Sequence, residues 1–519
     1  MAIQSLPAEL CYLSATRLAN DIASGHVSAS DAVEACIERI EAVNSRLNAL
    51  AVPLFDQARA DASARDMARA RSEPLGPLHG VPITIKECFD VVGTHSTIGI
   101  ERFVGEQAAA DAPLVEALRS AGAVIVGKTN VPQLMVLYET DNPVYGRANN
   151  PWNLDRSPGG SSGGEAASVA AGFSAIGLAS DLGGSVRQPA HSCGVHGFKP
   201  TAGQLSMDGS RNAFRGMEAL EIAPGLVARH VSDLRLGMDV LWSAAEVSHV
   251  RQDHGHRNRI EGLRVGYFTA DAYFQPSPAI QRAVEEAASA LADRVAIVEP
   301  WQPPSFDHAV HLFWELTSAD GGADMLRLLG RSRRDRRVRR LINLLRVPRF
   351  ARPALTTFLR TVGQRGIADL VQFTRARSAD EYWRLTCEKN AYVQRFNAAL
   401  DRAGIDVILC PAYGLPALKH GKSLFLFAAA GYSQAFNVLG MPSGVVAATK
   451  VRADEETRRE ISRDKVEHEA RKVELGSAGL PVGVQVTARP RQDRLVLDVM
   501  DSLEEAFRAT SDYPARPLL

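Results

Sequence analysis

Residues 159–187 read GGSSGGEAASVAAGFSAIGLASDLGGSVR, and the rest of the chain can be understood from this stretch. Two Gly-Gly-Ser turns carry Ser161 and Ser185, and residues 166–171 between them are small side chains that favour a helix. Glycine beside each serine lets backbone N–H groups approach a ligand closely. Two serines on such turns indicate either chemistry on an acyl group or an anion cradle. A helix–strand turn rich in glycine and serine, with no ligand, is the alternative.

A second stretch, LHGVPITIKE at residues 78–87, favours the chemical interpretation. Its residues Val81, Ile83 and Ile85 alternate as in a buried strand, which ends by presenting Lys86. Burial disfavours the charged form of a lysine and lowers its pKa, so a desolvated Lys86 can serve as a base. The sequence therefore predicts a buried lysine that can accept a proton.

Taken together, Lys86, Ser161 and Ser185 with their surrounding motifs resemble the amidase signature family. The resemblance implies a Ser-cisSer-Lys triad in which Ser185 is the nucleophile. Ser161 would follow a cis peptide bond and relay the proton between Ser185 and Lys86. Acylation of Ser185, release of the amine and hydrolysis of the acyl-enzyme would complete the reaction, with no cofactor.

The resemblance also implies a substrate-binding loop around Ser185. The backbone N–H groups that would form the oxyanion hole are those of Leu182, Gly183, Gly184 and Ser185, and Met135 is expected to contact substrate. Asp181 and Arg187 are expected to pair and hold this loop, whereas an ion pair on the surface, which stabilises little, is the alternative.

Histidine catalysis is the natural competitor, since His79, His191 and His196 all lie near these motifs. Ser185 does not lie in a GxSxG elbow, and a lone histidine in an apolar sequence is usually a structural residue, so we favour the lysine. A second histidine group (His249, His254 and His256) lies in a polar stretch without supporting carboxylates or cysteines. This stretch is predicted to be a solvated loop, and we expect no metal to bind to these three histidines.

The fold class expected from this resemblance is α/β, with a single large twisted mixed β-sheet covered by helices on both faces. Buried strands are predicted near residues 123–130, 405–411, 445–449 and 479–486, and helices between strands agree with such a sheet. Length alone would favour two or three domains. We expect one domain over residues 1–519. Its parts are an N-terminal helical segment at 1–70, the catalytic motifs at 75–210 and a C-terminal part of the core at 395–519.

Composition argues against partners that are bound through the overall charge of the chain. The chain has 519 residues, 45% of them hydrophobic, and its 59 basic residues match its 59 acidic ones, so no global attraction to nucleic acid or anionic lipid is implied and any such attraction must be local. Six cysteines without a CxxC pair predict free buried thiols in a reducing compartment. No secretory signal or membrane-spanning stretch is visible, which favours a cytoplasmic protein.

Further stretches narrow the resemblance to the fatty acid amide hydrolase branch. Over roughly residues 75–505 the matching motifs occur in order, among them those at 86–90, 129–135, 150–152 and 479–485. The implied reaction is hydrolysis of N-acyl amides, with a lipid acyl chain, to a carboxylic acid and an amine or ammonia, by a homodimer. Two alternatives stay open: a glutaminase subunit of the glutamyl-tRNA(Gln) amidotransferase type, and an amidase of aryl or short-chain amides.

One local charge anomaly lies in residues 331–365, called here the arginine-rich segment. It contains 12 arginines and a single acid, Asp335. Two apolar stripes at helical spacing predict an amphipathic helical pair; they are Leu341, Ile342 and Leu345, and Leu355, Phe358, Leu359 and Val362. The resemblance implies a membrane-contacting cap at the mouth of an acyl channel, which suits anionic lipid. A solvated basic face and a nucleic-acid patch are the alternatives, and no nucleic-acid partner is expected.

Overall fold

The computed structural model describes residues 7–247, 260–271 and 273–519. The predicted loop with His249, His254 and His256 lies outside the described residues. The strands are β1 Leu50–Pro53, β2 Pro82–Lys86, β3 Val124–Thr129, β4 Asp141–Asn142, β5 Gly146–Arg147, β6 Ile176–Asp181, β7 His196–Lys199, β8 Ala223–Ala228, β9 Arg264–Tyr267, β10 Ile297–Pro300, β11 Val407–Pro411, β12 Ser443–Lys450 and β13 Pro481–Ala488. The helices span Pro7–Leu10, Ala15–Ala23, Ala29–Leu47, Phe55–Ala70, Pro113–Ser120, Gly163–Ala171, Arg187–Cys193, Val231–Ala244, Pro278–Leu291, Phe306–Thr317, Ala323–Leu329, Arg336–Leu345, Arg352–Thr361, Arg365–Phe373, Ala379–Ala403, Gly431–Val438, Lys465–Glu474 and Asp493–Arg508.

Eleven of these strands form one mixed sheet in the order β1-β3-β2-β6-β8-β7-β12-β13-β11-β9-β10. The pairs β2–β3 and β2–β6 are parallel, whereas β6–β8 and β12–β13 are antiparallel. Neighbouring residues of one strand enter different apolar clusters: Ile125 joins one, while Val124 and Val126 join the other. Helices therefore cover the sheet on both faces, and the predicted α/β fold with a mixed sheet is confirmed.

The predicted strands near residues 123–130, 405–411, 445–449 and 479–486 are all present as β3, β11, β12 and β13. The N-terminal segment was predicted to be helical and contains one strand that the prediction missed. β1 is only four residues long, ends at Pro53 and pairs antiparallel with β3 at the edge of the sheet. A short strand with a proline at its end gives little periodic signal, and proline is tolerated at an edge.

Two further sequence expectations can be compared with the fold. Five cysteines are buried, but Cys387 is exposed, so the expectation of six buried thiols is wrong at that position. It lies on the long helix Ala379–Ala403, much of whose surface faces solvent. Within the described residues, the helices are either too short or too polar to cross a bilayer.

The arginine-rich segment folds into helices Arg336–Leu345 and Arg352–Thr361. The first predicted stripe faces inward, with Ile342 and Leu345 buried. The second does not: Phe358 is 60% exposed and Val362 45% exposed, and Phe350 between the helices is 87% exposed. The predicted amphipathic pair is therefore present, with apolar side chains on its outer surface as well as on its inner one.

Two arginines of this segment do not belong to an exposed basic face. Arg337 is buried, and its guanidinium donates to Asp335 and Asp141, each at 2.8 Å, and lies 3.3 Å from Glu139. Arg352 is also buried, and its guanidinium donates to the backbone carbonyls of residues 344, 345, 347, 371 and 374. Both side chains hold the helices to the rest of the fold, because a buried charge needs partners of this kind.

Candidate active site

Lys86 is the last residue of β2, a strand in which all five residues are buried. Its Nζ donates to Ser161 Oγ at 2.8 Å, to Ser180 Oγ at 3.0 Å and to the Ser180 carbonyl at 3.2 Å. Burial lowers the pKa of Lys86 from 10.5 to about 8, although the nearby Cys88, Asp181 and Glu165 act in the opposite direction. The amine therefore releases its proton far more readily than an exposed lysine does.

Ser161 lies on the first glycine turn, which contacts the second turn, the one that carries Ser185. The peptide bond between Gly160 and Ser161 is cis, as the resemblance implied. The Gly160 N–H donates to Gln188 Oε1 at 2.9 Å, and the Ser162 N–H donates to the Ser185 carbonyl at 3.1 Å. These bonds join the two turns directly, so Ser161 and Ser185 are presented by neighbouring pieces of backbone.

The loop before Ser185 is anchored by a fully buried ion pair. Arg187 donates to both carboxylate oxygens of Asp181, through Nη2 at 2.9 Å and Nε at 3.0 Å. Burial alone would raise the pKa of Asp181, but the Arg187 guanidinium holds it well below its usual range. The predicted pairing is confirmed, and the alternative of a surface ion pair is excluded because neither side chain is exposed.

The peptide group between Gly183 and Gly184 is clamped on both sides. The Tyr138 hydroxyl donates to the Gly183 carbonyl at 2.7 Å, and the Gly184 N–H donates to Asp181 Oδ1 at 2.7 Å. Gly184 has φ of 109°, a backbone conformation open to glycine but not to larger residues. The orientation of the loop thus follows from two hydrogen bonds and one backbone requirement.

This clamp bears on the predicted oxyanion donors. The N–H of Gly184 already donates to a carboxylate, so its place among the four predicted donors is not supported by the geometry. In the part of the chain that the structure describes, no hydrogen bond uses the N–H of Leu182, Gly183 or Ser185. Three of the four predicted donors therefore have no acceptor among the described residues.

A cavity opens beside Ser185, which is itself partly exposed. The predicted substrate-binding residues Met135, Leu182 and Gly183 line it, whereas Gly184 does not. Most of the remaining wall is apolar, and its side chains include Val136, Leu137, Phe214, Phe313, Trp314, Met325, Leu341, Leu345, Leu370 and Phe427. Helix Arg336–Leu345 contributes to this wall, so the arginine-rich segment covers one side of the cavity. Such a cavity suits an apolar group attached to the atoms that react.

The histidines weighed as catalytic residues have other partners. His191 is fully buried and its Nδ1 accepts from the Gly483 N–H at 3.1 Å. His196 accepts from the Ala447 N–H at 3.3 Å through its Nδ1. Among the described residues, no hydrogen bond links His79, His191 or His196 to either serine, and no group of His, Cys, Asp and Glu side chains is arranged to hold a metal.

Three residues of the site were missed from the sequence. Ser180 contacts the Lys86 amine, Tyr138 holds the loop before Ser185, and Glu165 is a fully buried carboxyl near Lys86. Glu165 had a visible signal, because it is the only ionisable residue in the otherwise small-residue run of residues 159–180. Nothing local marks Tyr138, whose partner Gly183 lies 45 positions away along the chain.

Comparison with known proteins agrees with this fold. The family described as Amidase matches residues 31–497, and the chain belongs to this family of amide-hydrolysing enzymes. Fatty-acid amide hydrolase 1 of Sus scrofa is 34% identical over 509 residues, covering 95% of this chain and 86% of the relative. The acetamidase of Aspergillus oryzae is 30% identical over 458 residues, covering 84% of this chain and 78% of the relative. A solved fatty acid amide hydrolase structure superposes with a TM-score of 0.84 at 24% identity, over 97% of this chain and 87% of that one, which shows the shared fold.

Proposed function

We propose that this amidase cleaves N-acyl amides through Ser185 as nucleophile, with Ser161 and Lys86 as the proton relay. The observation that carries the proposal is the 2.8 Å hydrogen bond from the buried Lys86 amine to Ser161 Oγ, on turns that also present Ser185 at an apolar cavity. A serine hydroxyl is a weak nucleophile until a base takes its proton. A neutral Lys86 supplies that base.

In the proposed acylation, Ser185 Oγ forms a bond to the carbonyl carbon of the amide. Its proton passes to Ser161, while the Ser161 proton passes to Lys86. The tetrahedral oxyanion is stabilised by the open N–H groups of Leu182, Gly183 and Ser185. Removing one such donor typically costs about 2.7–4 kcal/mol of transition-state stabilisation.

The same relay then runs in reverse. Protonated Lys86 returns the proton through Ser161 to the leaving nitrogen, the C–N bond breaks and the amine departs. Water next attacks the acyl-enzyme and releases the carboxylic acid. Esters have leaving groups that need less protonation, so Lys86→Ala should slow an amide more than its matched ester. Equal losses on both substrates would contradict the dual role of Lys86.

We further propose a lipid acyl chain as the preferred acyl group. The apolar wall of the cavity and the similarity to fatty-acid amide hydrolase 1 support it. The acetamidase relative supports a second candidate, an amidase of short-chain or aryl amides. A series of N-acyl amides of one amine, differing only in acyl length, separates the two. Values of kcat/KM that rise with chain length favour the first, and values that fall favour the second.

Assignment of the nucleophile has a direct test. A fluorophosphonate should label Ser185 in the native protein and fail to label Ser185→Ala. Ser168→Ala is a matched control, because Ser168 is a buried serine of the same region that lies on helix Gly163–Ala171 away from the cavity lining. Labelling that survives in Ser185→Ala but is lost in another serine variant would contradict the assignment.

The outer face of the arginine-rich segment is proposed as a peripheral membrane contact of a cytoplasmic protein. Exposed Phe350 and Phe358 lie among exposed arginines, an arrangement that suits anionic lipid at about 1 kcal/mol per basic residue near the surface. Replacing the exposed arginines 336, 339 and 340 by glutamate should release the protein from anionic vesicles in a flotation assay. Arg337 is excluded from this set because it is buried. Equal flotation of variant and wild type would refute the contact.

Two proposals concern organisation. A single domain is supported by one sheet whose strands come from residues 50 to 488. Limited proteolysis should therefore yield no separately stable half. A homodimer rests on the resemblance alone, and sedimentation velocity across a range of protein concentrations tests it.

A further inference from the structure

Glu165 is a fully buried carboxyl for which the proposed reaction has no use. It lies in the first turn of helix Gly163–Ala171, directly after the first glycine turn. Its Oε2 accepts from Thr84 Oγ1 at 2.6 Å, and its Oε1 accepts from Thr129 Oγ1 at 2.8 Å. Space for the carboxyl is provided by Gly177, where an added Cβ would lie 2.1 Å from Oε2. The group is therefore held firmly in one place.

That place lies on the same side of the sheet as Lys86. Thr84 and Lys86 are two residues apart on β2, so their side chains leave the strand on the same face. Thr129 is the register partner of Lys86 on β3. Glu165 is thus hydrogen-bonded to Thr84, two residues before Lys86 on β2, and to Thr129, opposite Lys86 on β3.

The surroundings of Glu165 accommodate both of its protonation states. Thr84 Oγ1 also lies 2.8 Å from Ser174 Oγ, and either hydroxyl of that pair can be the donor. When Glu165 is ionised, the Thr84 hydroxyl donates to it. When Glu165 carries a proton, it can donate to Thr84, whose hydroxyl then donates to Ser174. Reversal of this short chain requires no movement of heavy atoms.

Among the described residues, three ionisable groups act on the charge of Lys86, and only Glu165 changes its own charge in the same pH range as Lys86. Asp181 remains ionised because Arg187 holds its pKa far below neutral. Cys88 remains a thiol because burial raises its pKa to about 11. Burial raises the pKa of Glu165 to about 8, close to that of Lys86, although the two threonine hydroxyls and Lys86 act to lower it.

We propose that Glu165 is a positioning residue whose ionisation, coupled to that of Lys86, sets the pH at which Lys86 becomes the base for acylation. This inference rests on the proposed function of Lys86. An ionised Glu165 favours the ammonium form of Lys86, and a neutral Glu165 removes that attraction. Lys86 and Glu165 then titrate as a coupled pair. The pH at which the Lys86 amine loses its proton therefore depends on the charge of Glu165.

Glu165→Gln tests the coupling, because the amide keeps the size of the side chain and loses its charge. The rate of Ser185 labelling by a fluorophosphonate, followed against pH, reports the base without requiring the natural substrate. Without the carboxylate, Lys86 should stay neutral to lower pH, so the acidic limb of the profile should move down by about one pH unit. Thr129→Val, which removes one hydrogen bond to the ionised carboxylate, should move the limb in the same direction by less.

Glu87→Gln is the matched control. Glu87 is the next residue after Lys86 and is equally buried, but its charge acts on Lys128 instead. Its carboxylate accepts from Thr97, Ile98 and Tyr145. The inference is overturned if the acidic limb stays at the wild-type pH in both Glu165→Gln and Thr129→Val. It is also overturned if the limb moves as far in Glu87→Gln as in Glu165→Gln. Either result leaves the proposed function intact. A wild-type profile retained in Lys86→Ala overturns the proposed function itself.

Discussion

Replacing Lys86 with methionine should abolish amide turnover and should remove the free-energy cost of a buried ammonium, a cost that is present near neutral pH and absent at high pH. A buried ammonium has lost its hydration, and within the described part of the chain its direct partners are oxygens of Ser161 and Ser180. Methionine has a similar length and no charge to desolvate. The site would then illustrate a group that is kept for its reaction at a cost in stability.

The size of the effect follows from the pKa of the amine. Its fall from 10.5 to about 8, at about 1.4 kcal/mol for each pH unit, corresponds to about 3 kcal/mol of unfolding free energy. Below pH 8 the Lys86 amine is charged in both the folded and the unfolded state, and the folded state is destabilised by the full cost of burying the ammonium. Between pH 8 and pH 10.5 only the unfolded state binds the proton, so wild-type stability rises with pH through this window. Above it the cost is gone.

A second contribution opposes the first and does not depend on pH. The hydroxyls of Ser161 and Ser180 lose a partner in Lys86→Met, which costs about 1–3 kcal/mol for buried polar groups left unpaired. The decisive quantity is therefore the change with pH in the stability difference between wild type and variant. That difference should shift by about 3 kcal/mol in favour of wild type from pH 7 to pH 10.5.

Urea unfolding of both proteins across this pH range measures the quantity, provided that their m values agree. A repeat in a Glu165→Gln background removes the other buried group near Lys86 that titrates in the same range. A stability difference that stays constant from pH 7 to pH 10.5 would refute the reasoning, because it would mean that burial does not lower the pKa of Lys86.

Three further predictions concern the loop and the cavity. Arg187→Met leaves the Asp181 carboxylate buried without its cation and should cost about 3–5 kcal/mol in urea unfolding, whereas the double variant with Asp181→Asn should recover part of that loss. Gly184→Ala forces a side chain into φ of 109°, with its Cβ 2.6 Å from Ser433 Cβ, and should slow acylation by about 100-fold or more in stopped-flow labelling. Leu345→Trp should fill the cavity beneath the arginine-rich segment and lower kcat/KM for long-chain amides, while acetyl amides react at the wild-type rate.

Much of the fold was predictable from local patterns in the sequence. Alternation at Val81, Ile83 and Ile85 predicted a buried strand ending at Lys86, and β2 has that form. The glycine turns at Ser161 and Ser185, each of which is followed by a helix, were predicted equally well. These features depend on neighbouring residues, whose backbone preferences and apolar spacing are visible in one sequence.

Long-range contacts decided the rest. Arg337 belongs to a run of arginines that predicts an exposed basic surface, yet Glu139 and Asp141, almost 200 positions earlier, draw it into the fold. The hydrogen bond from the Gly184 N–H to Asp181 was also missed although it spans only three residues, because the direction of a loop N–H depends on the folded backbone and not on residue type.

The proposed catalytic contact has the same character. The sequence by itself determined that Lys86 ends a buried strand and that Ser161 lies on a glycine turn. Only the tertiary structure brings them to 2.8 Å across 75 positions of the chain, and only it places Glu165 beside them. The reason is physical: the charge state and the partner of a buried group depend on what surrounds it in space, and those surroundings come from strands and helices far apart in sequence.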